Sequence, residues 1–114
     1  MQHELKTWPE FFEAVRERKK TFELRHNDRN YKVSDHLRLR EFDPCRACKG
    51  KGQAFVHPAD IARGAKQRDC PDCHGSGGLY TGREAYYAVT YILNDHPGIR
   101  GGYVIMGLKP TETA

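Results

Sequence analysis

No apolar run in the chain approaches the roughly 20 residues that a membrane helix needs, so a membrane is not expected among its partners. The opening residues, Met1-Gln2-His3-Glu4-Leu5-Lys6, contain no apolar signal region, and the expected location is the cytoplasm. Cysteine is scarce: there are four, all in two Cys-x-x-Cys pairs. In a reducing compartment such pairs read as metal ligands and not as disulfides. A dominant charge of one sign is also missing, with 19 Lys and Arg against 15 Asp and Glu and a net charge of +4 when histidine is neutral. An excess that small is weak support for nucleic-acid binding. The excess sits mostly over 45–82, where 6 basic residues face 3 acidic ones, against 10 and 9 over 1–44 and 3 and 3 over 83–114, and zinc with four thiolates, at about −2, would offset most of it. What is present suits one soluble globular domain with a modest core: 114 residues, 38% hydrophobic and 30% charged.

Two patterned regions flank the cysteine-bearing one. Thr7-Trp8-Pro9-Glu10 reads as a helix start, with Thr7 as N-cap and Pro9 in the first turn. Phe11, Phe12 and Val15 then share a face, which predicts a short amphipathic helix over 8–18. Thr21 to Arg25 and Leu37 to Arg40 alternate as half-buried strands, the first with Phe22 and Leu24 on one side and Thr21, Glu23 and Arg25 on the other. Tyr86 to Leu93 and Tyr103 to Leu108 are rich in β-branched and aromatic residues and read as two more strands. Residues 110–114 read as a frayed tail. One helix followed by strands with short links predicts an α+β domain on a curled sheet or small barrel. Segments 1–44 and 83–114 then form one discontinuous domain, with 45–82 inserted between two strands.

Cys45-Arg46-Ala47-Cys48 and Cys70-Pro71-Asp72-Cys73 are separated by 21 residues, and each is followed by glycines in a Cys-x-x-Cys-x-Gly-x-Gly repeat. Two such knuckles supply the four soft ligands of one structural zinc ion (Zn2+), Cys45, Cys48, Cys70 and Cys73. Glycine allows the positive φ angles needed where backbone N–H groups turn toward thiolates. Cys70 to His74 also matches the c-type haem pattern, but the second Cys-x-x-Cys and the glycines would then go unexplained. Four thiolates leave no open coordination position, which argues against a catalytic metal. The repeat resembles the zinc fingers of DnaJ-type co-chaperones over 45–77, where a pair of such motifs completes each metal site.

The flanks carry a second resemblance. Leu5 to Pro9, Arg18 to Arg25, Asn27-Asp28-Arg29 and Gly102 to Met106 resemble the ASCH-like family of the PUA superfamily, whose signature is roughly Gly-x-Lys-x-x-Glu-x-Arg. Lys20, Glu23 and Arg25 match its last three fixed positions, while Arg18 stands where glycine is usual. The resemblance implies a small PUA/ASCH-like β-barrel with a flanking helix beside a cleft, a cleft associated in that superfamily with RNA or modified nucleosides. Lys20, Glu23, Arg25, Asp28 and Arg29, together with Lys49 and Lys51 of the insertion, are then the candidate nucleic-acid contacts, cations for phosphate and Glu23 for a base amino group. The plain alternative is an exposed sheet face laced with Glu–Arg pairs.

The leading expectation is therefore a non-catalytic RNA-binding module with a structural zinc finger. An alternative comes from family relatives that remove an acyl group from a modified cytidine, with a lysine activating a threonine nucleophile. Lys20 matches that lysine, but Glu23 stands where the threonine would be, and Thr21 occupies a different slot. If the chain were such a hydrolase, Lys20, Thr21 and Glu23 would be its catalytic candidates. A further alternative is a phage-type protein-interaction module aimed at a host protein. Of the aromatics, Trp8, Phe11, Phe12, Tyr31, Tyr86, Tyr87, Tyr91 and Tyr103 are expected mostly in the core, with a base-stacking platform as the other use. His3, His26, His36, His57 and His96 are expected at the surface or in turns.

Overall fold

The computed structural model describes residues 1–111. These divide into two compact units: Met1–Glu41 with the chain from Gly82 onward, and Phe42–Thr81. The elements in chain order are β1 (Gln2–Thr7), α1 (Pro9–Arg16), β2 (Phe22–His26), β3 (His36–Pro44), α2 (Pro58–Ala62), β4 (Gly78–Leu93) and β5 (Tyr103–Thr111). The class is mixed α+β, as expected. The strands form one sheet in the order β1-β3-β4-β5-β2, curled into a half-barrel and not a closed barrel. β1 runs parallel to β3, and β5 is antiparallel to both β2 and β4. The β4–β5 register shifts between Val89 and Tyr91, which locally increases strand twist.

The core of the first unit is apolar and continuous. Leu5, Leu37, Leu39, Val89, Val104 and Met106 project from the strands onto Phe12 and Val15 of α1. Each such side chain contributes about 1.5–3 kcal/mol by leaving water. α1 starts with Pro9 in its first turn, where the missing N–H forfeits no bond. It is shorter than the predicted 8–18, because Arg18 turns to φ 60°.

Several expectations are corrected. Thr7 is not the cap of α1: it ends β1, and Trp8 takes the N-cap position with extended backbone and no side-chain hydrogen bond. β1 itself was not expected from the sequence, because two of its three inward residues, His3 and Thr7, are polar. In β2 the expected facing is inverted. Glu23 is 2% exposed, while Phe22 and Leu24 are 44% and 52% exposed. β4 begins at Gly78, well before Tyr86, and α2 was not anticipated. Of the expected tail, Pro110 and Thr111 lie in β5, and the rest lies outside the described residues. His3 is buried against Asp35, with its Nε2 at 2.8 Å from Oδ2, and is not a surface residue.

Candidate functional site

Within the unit Phe42–Thr81, the two knuckles bring the four cysteines together. One Sγ atom from each of Cys45, Cys48, Cys70 and Cys73 lies within 4.8 Å of the others. The Cys45–Cys70 and Cys48–Cys73 sulfurs are 4.0 and 3.7 Å apart. Tetrahedral thiolates at a metal–sulfur distance of about 2.3 Å would stand roughly 3.8 Å from one another. The spacing therefore fits a single ion, and the four cysteines form a cluster positioned to bind a metal.

The knuckles obey the same local rules twice over. Gly52 N–H donates to Cys48 Sγ at 3.1 Å, and Gly77 N–H donates to Cys73 Sγ at 3.3 Å. Cys45 N–H donates to Gly77 O at 2.7 Å, and Cys70 N–H donates to Gly52 O at 3.0 Å, so each knuckle is tied to the end of the other. Gly52 and Gly77 hold φ +76° and +81°. A Cβ on Gly52 would stand 2.6 Å from Gly75 O, and one on Gly77 would stand 2.8 Å from Gly50 O. The sequence repeat is thus a repeat of geometry, and its glycines are required by both backbone angle and space.

Four sulfurs this close cannot all ionise unaided. Desolvation opposes the Cys73 thiolate, but the N–H groups of Gly77 and Gly75 outweigh it and lower its pKa to about 6. At Cys45 the Cys48 N–H favours the thiolate, yet desolvation and the neighbouring sulfurs prevail and push the thiol up to about 11. A divalent cation at the centre removes this conflict and lets every ligand ionise.

The second candidate lies in the other unit, between β1, α1 and β2. A cleft of about 620 Å³ is lined by Thr7, Trp8, Phe11, Lys20, Phe22 and Leu24, with Glu23 and Arg25 beside them. Glu23 is held from both sides: Lys20 Nζ donates to Oε1 at 2.8 Å and Arg25 Nε donates to Oε2 at 2.9 Å. Inward Glu23 is tolerated because both its oxygens are met by cations. Arg25 also donates to the Lys6 carbonyl at 2.9 Å, and its Nη2 lies 3.5 Å from Thr7 Oγ1. The Lys20 ammonium stands 5.4 and 5.5 Å from the ring centres of Phe11 and Phe22. Trp8, Phe11 and Phe22 are 43%, 49% and 44% exposed, an apolar wall open to solvent.

Lys20, Glu23 and Arg25 are therefore brought together. Thr21 is exposed and is not among the lining residues of the cleft. Arg29 donates to the Glu4 carbonyl of β1, and the Asp28 N–H donates to His26 O. Lys49 and Lys51 belong to the cysteine-bearing unit. Phe12, Tyr31 and Tyr87 are core residues, whereas Trp8 and Phe11 wall the cleft. Phe22 and Thr7 were missed as cleft residues, because alternation assigned Phe22 inward and Thr7 was assigned to a cap. No signal short of knowing which face of β2 turns inward identifies them.

Fold and sites together define a small α+β protein with four cysteines positioned to bind a metal ion and a cation–aromatic cleft. The chain belongs to the family DUF3850, a domain of unknown function, whose sequence profile matches residues 2–108. No curated protein matches it. No helix among the described residues is long and apolar enough to cross a membrane.

Proposed function

We propose that the protein is a nucleic-acid-binding module with single-stranded RNA as its ligand, stiffened by one structural zinc ion. The observation that carries the reading is the buried Glu23 clamped by Lys20 and Arg25 in a cleft that three half-exposed aromatic rings also line. Trp8, Phe11 and Phe22 offer faces on which an unpaired base can stack. The clamp carries one net positive charge, suited to a neighbouring phosphate, with the buried Glu23 holding Lys20 and Arg25 in place. Resemblance to ASCH-like PUA domains supports RNA over DNA. Zinc is favoured at the cysteine cluster because it takes four thiolates tetrahedrally, and four protein ligands suit a structural role.

Hydrolysis is the less supported use of the same cleft. Lys20 donates to a carboxylate, where a base would need a free lone pair, and Thr21 does not line the cleft. Thr7 does line it, but its hydroxyl neighbours Arg25, a cation that cannot serve as a base. Titration of the zinc-loaded protein with labelled single-stranded RNA, single-stranded DNA and duplex RNA tests the proposal. Tightest binding to single-stranded RNA, weakened by Phe11→Ala and Phe22→Ala and by rising salt, is expected. No binding to any of the three at low salt overturns it, as does turnover of acylated nucleosides that is lost in Lys20→Ala.

A further inference from the structure

The cysteine-bearing unit has an exposed aromatic of its own. Phe55 is 83% exposed, and its ring meets that of His57 edge-on with the centres 6.5 Å apart. It forms a shared wall between two clefts. One, of about 670 Å³, is lined by Arg63, Lys66 and Arg68 with a single acid, Asp60, and the other, of about 330 Å³, by Lys49 and Lys51. All five cations are exposed. Among the described residues, none of their side chains has an ion-pair or hydrogen-bond partner. The sheet arginines Arg25, Arg38, Arg40 and Arg83, by contrast, are each paired with a carboxylate.

We infer that this surface is a second contact for single-stranded nucleic acid, in which Phe55 stacks a base while Lys49 and Lys51 on one side and Arg63, Lys66 and Arg68 on the other take the flanking phosphates. The inference rests on the nucleic-acid reading above and extends it to a distinct set of residues. A lone exposed phenylalanine is ordinary on a protein surface. Unpaired cations on both sides of it are what select the occupant. A single strand alternates flat faces with anionic phosphates, and the surface offers a flat face with positive charge to either side. An acidic peptide would satisfy the cations and leave the ring without a matching partner. Asp60 shares the larger cleft but pairs with none of these cations, so binding would release the counterions of the strand without breaking an ion pair in the protein.

The test is fluorescence anisotropy of a short labelled oligouridine with the full-length, zinc-loaded protein at several salt concentrations. Phe55→Ala should weaken binding by about tenfold, the scale of losing one stacked base. The double variant Lys66→Gln with Arg68→Gln should flatten the dependence on salt by roughly 1.4 in the logarithmic slope, two phosphate contacts' worth. Phe55 and both cations are exposed, so normal metal content and an unchanged unfolding midpoint should accompany these losses. Wild-type binding that Phe55→Ala and the double variant leave intact, while Phe11→Ala abolishes it, overturns the inference and leaves the cleft reading standing. Loss in Phe55→Ala with none in Phe11→Ala or Phe22→Ala supports the inference and overturns the cleft reading. A polyglutamate peptide that competes as well as RNA of equal charge overturns the choice of ligand, and no wild-type binding overturns both readings.

Discussion

The two units of the molecule hold themselves together by different physics. The sheet unit buries Leu5, Phe12, Leu37, Leu39, Val104 and Met106 to 2% exposure or less, and four of its arginines, Arg25, Arg38, Arg40 and Arg83, are met by acids. The unit Phe42–Thr81 buries little apolar surface beyond Phe42, Cys48 and Cys70. A segment of that size seldom folds on burial alone and needs a staple. Its order therefore comes from the four sulfurs and the crossed hydrogen bonds of the knuckles. Those four arginines are paired inside the sheet unit, whereas Lys49, Lys51, Arg63, Lys66 and Arg68 of the other unit face solvent. The difference separates a part held by apolar burial from a part held by its cysteine knuckles.

The sharpest way to break that comparison is to remove the metal. Chelation, or Cys70→Ser, should abolish amide-exchange protection over residues 45–77 and leave β2 and β5 protected, because a structural thiolate site contributes about 10 kcal/mol or more to folding. Equal loss in both units, or none in either, would erase the distinction. In the opposite direction, Leu39→Ala should destabilise the sheet unit by about 2–5 kcal/mol, read by chemical denaturation, with metal stoichiometry unchanged.

How much of this was legible in the sequence differs between the units for the same physical reason. The cysteine site is written as spacing: ligands and the glycines that turn N–H groups onto them are all within a few residues of one another. The sheet depends on which face of each strand turns inward, which is a long-range matter. Alternation in β2 was visible, but polarity alone assigned Phe22 and Leu24 inward. The partners that make an inward Glu23 tolerable, Lys20 and Arg25, tip the choice the other way. β1 was silent because His3 and Thr7, both buried, broke its apolar alternation. The early part of β4 was hidden by Gly78, Gly82 and the polar residues between Thr81 and Glu84.

Smaller changes refine the contrast. Gly52→Ala and Gly77→Ala should each cost about 1–3 kcal/mol of stability in the cysteine unit, through positive φ and the carbonyl each new Cβ would meet. Gly64→Ala, with φ +97° and nothing within 4 Å, isolates the backbone part of that cost and should lose less. Metal competition assays and unfolding midpoints measure both. An equal loss at all three positions would remove the steric argument from the knuckles.

The mildest effect concerns pH and the sheet unit. Burial alone would raise the Asp35 carboxyl, but its hydrogen bonds from the His3 ring and the Lys32 N–H hold it below the usual carboxylate value. A depressed pKa in the folded state means stability that is present above the unfolded value of about 3.9 and lost as pH falls through the folded one. The unfolding midpoint should therefore drop across that acidic range, and less steeply in Asp35→Asn. A variant with the same acid profile as the wild type would assign the loss to other carboxylates.

The most direct measurement is elemental analysis of the purified protein, taken alongside a Cys45→Ser, Cys73→Ser double variant. One zinc per wild-type chain, lost in the variant, is the expected result. A wild-type protein without stoichiometric metal whose residues 45–77 are nevertheless protected from exchange would contradict the division of labour between the two units.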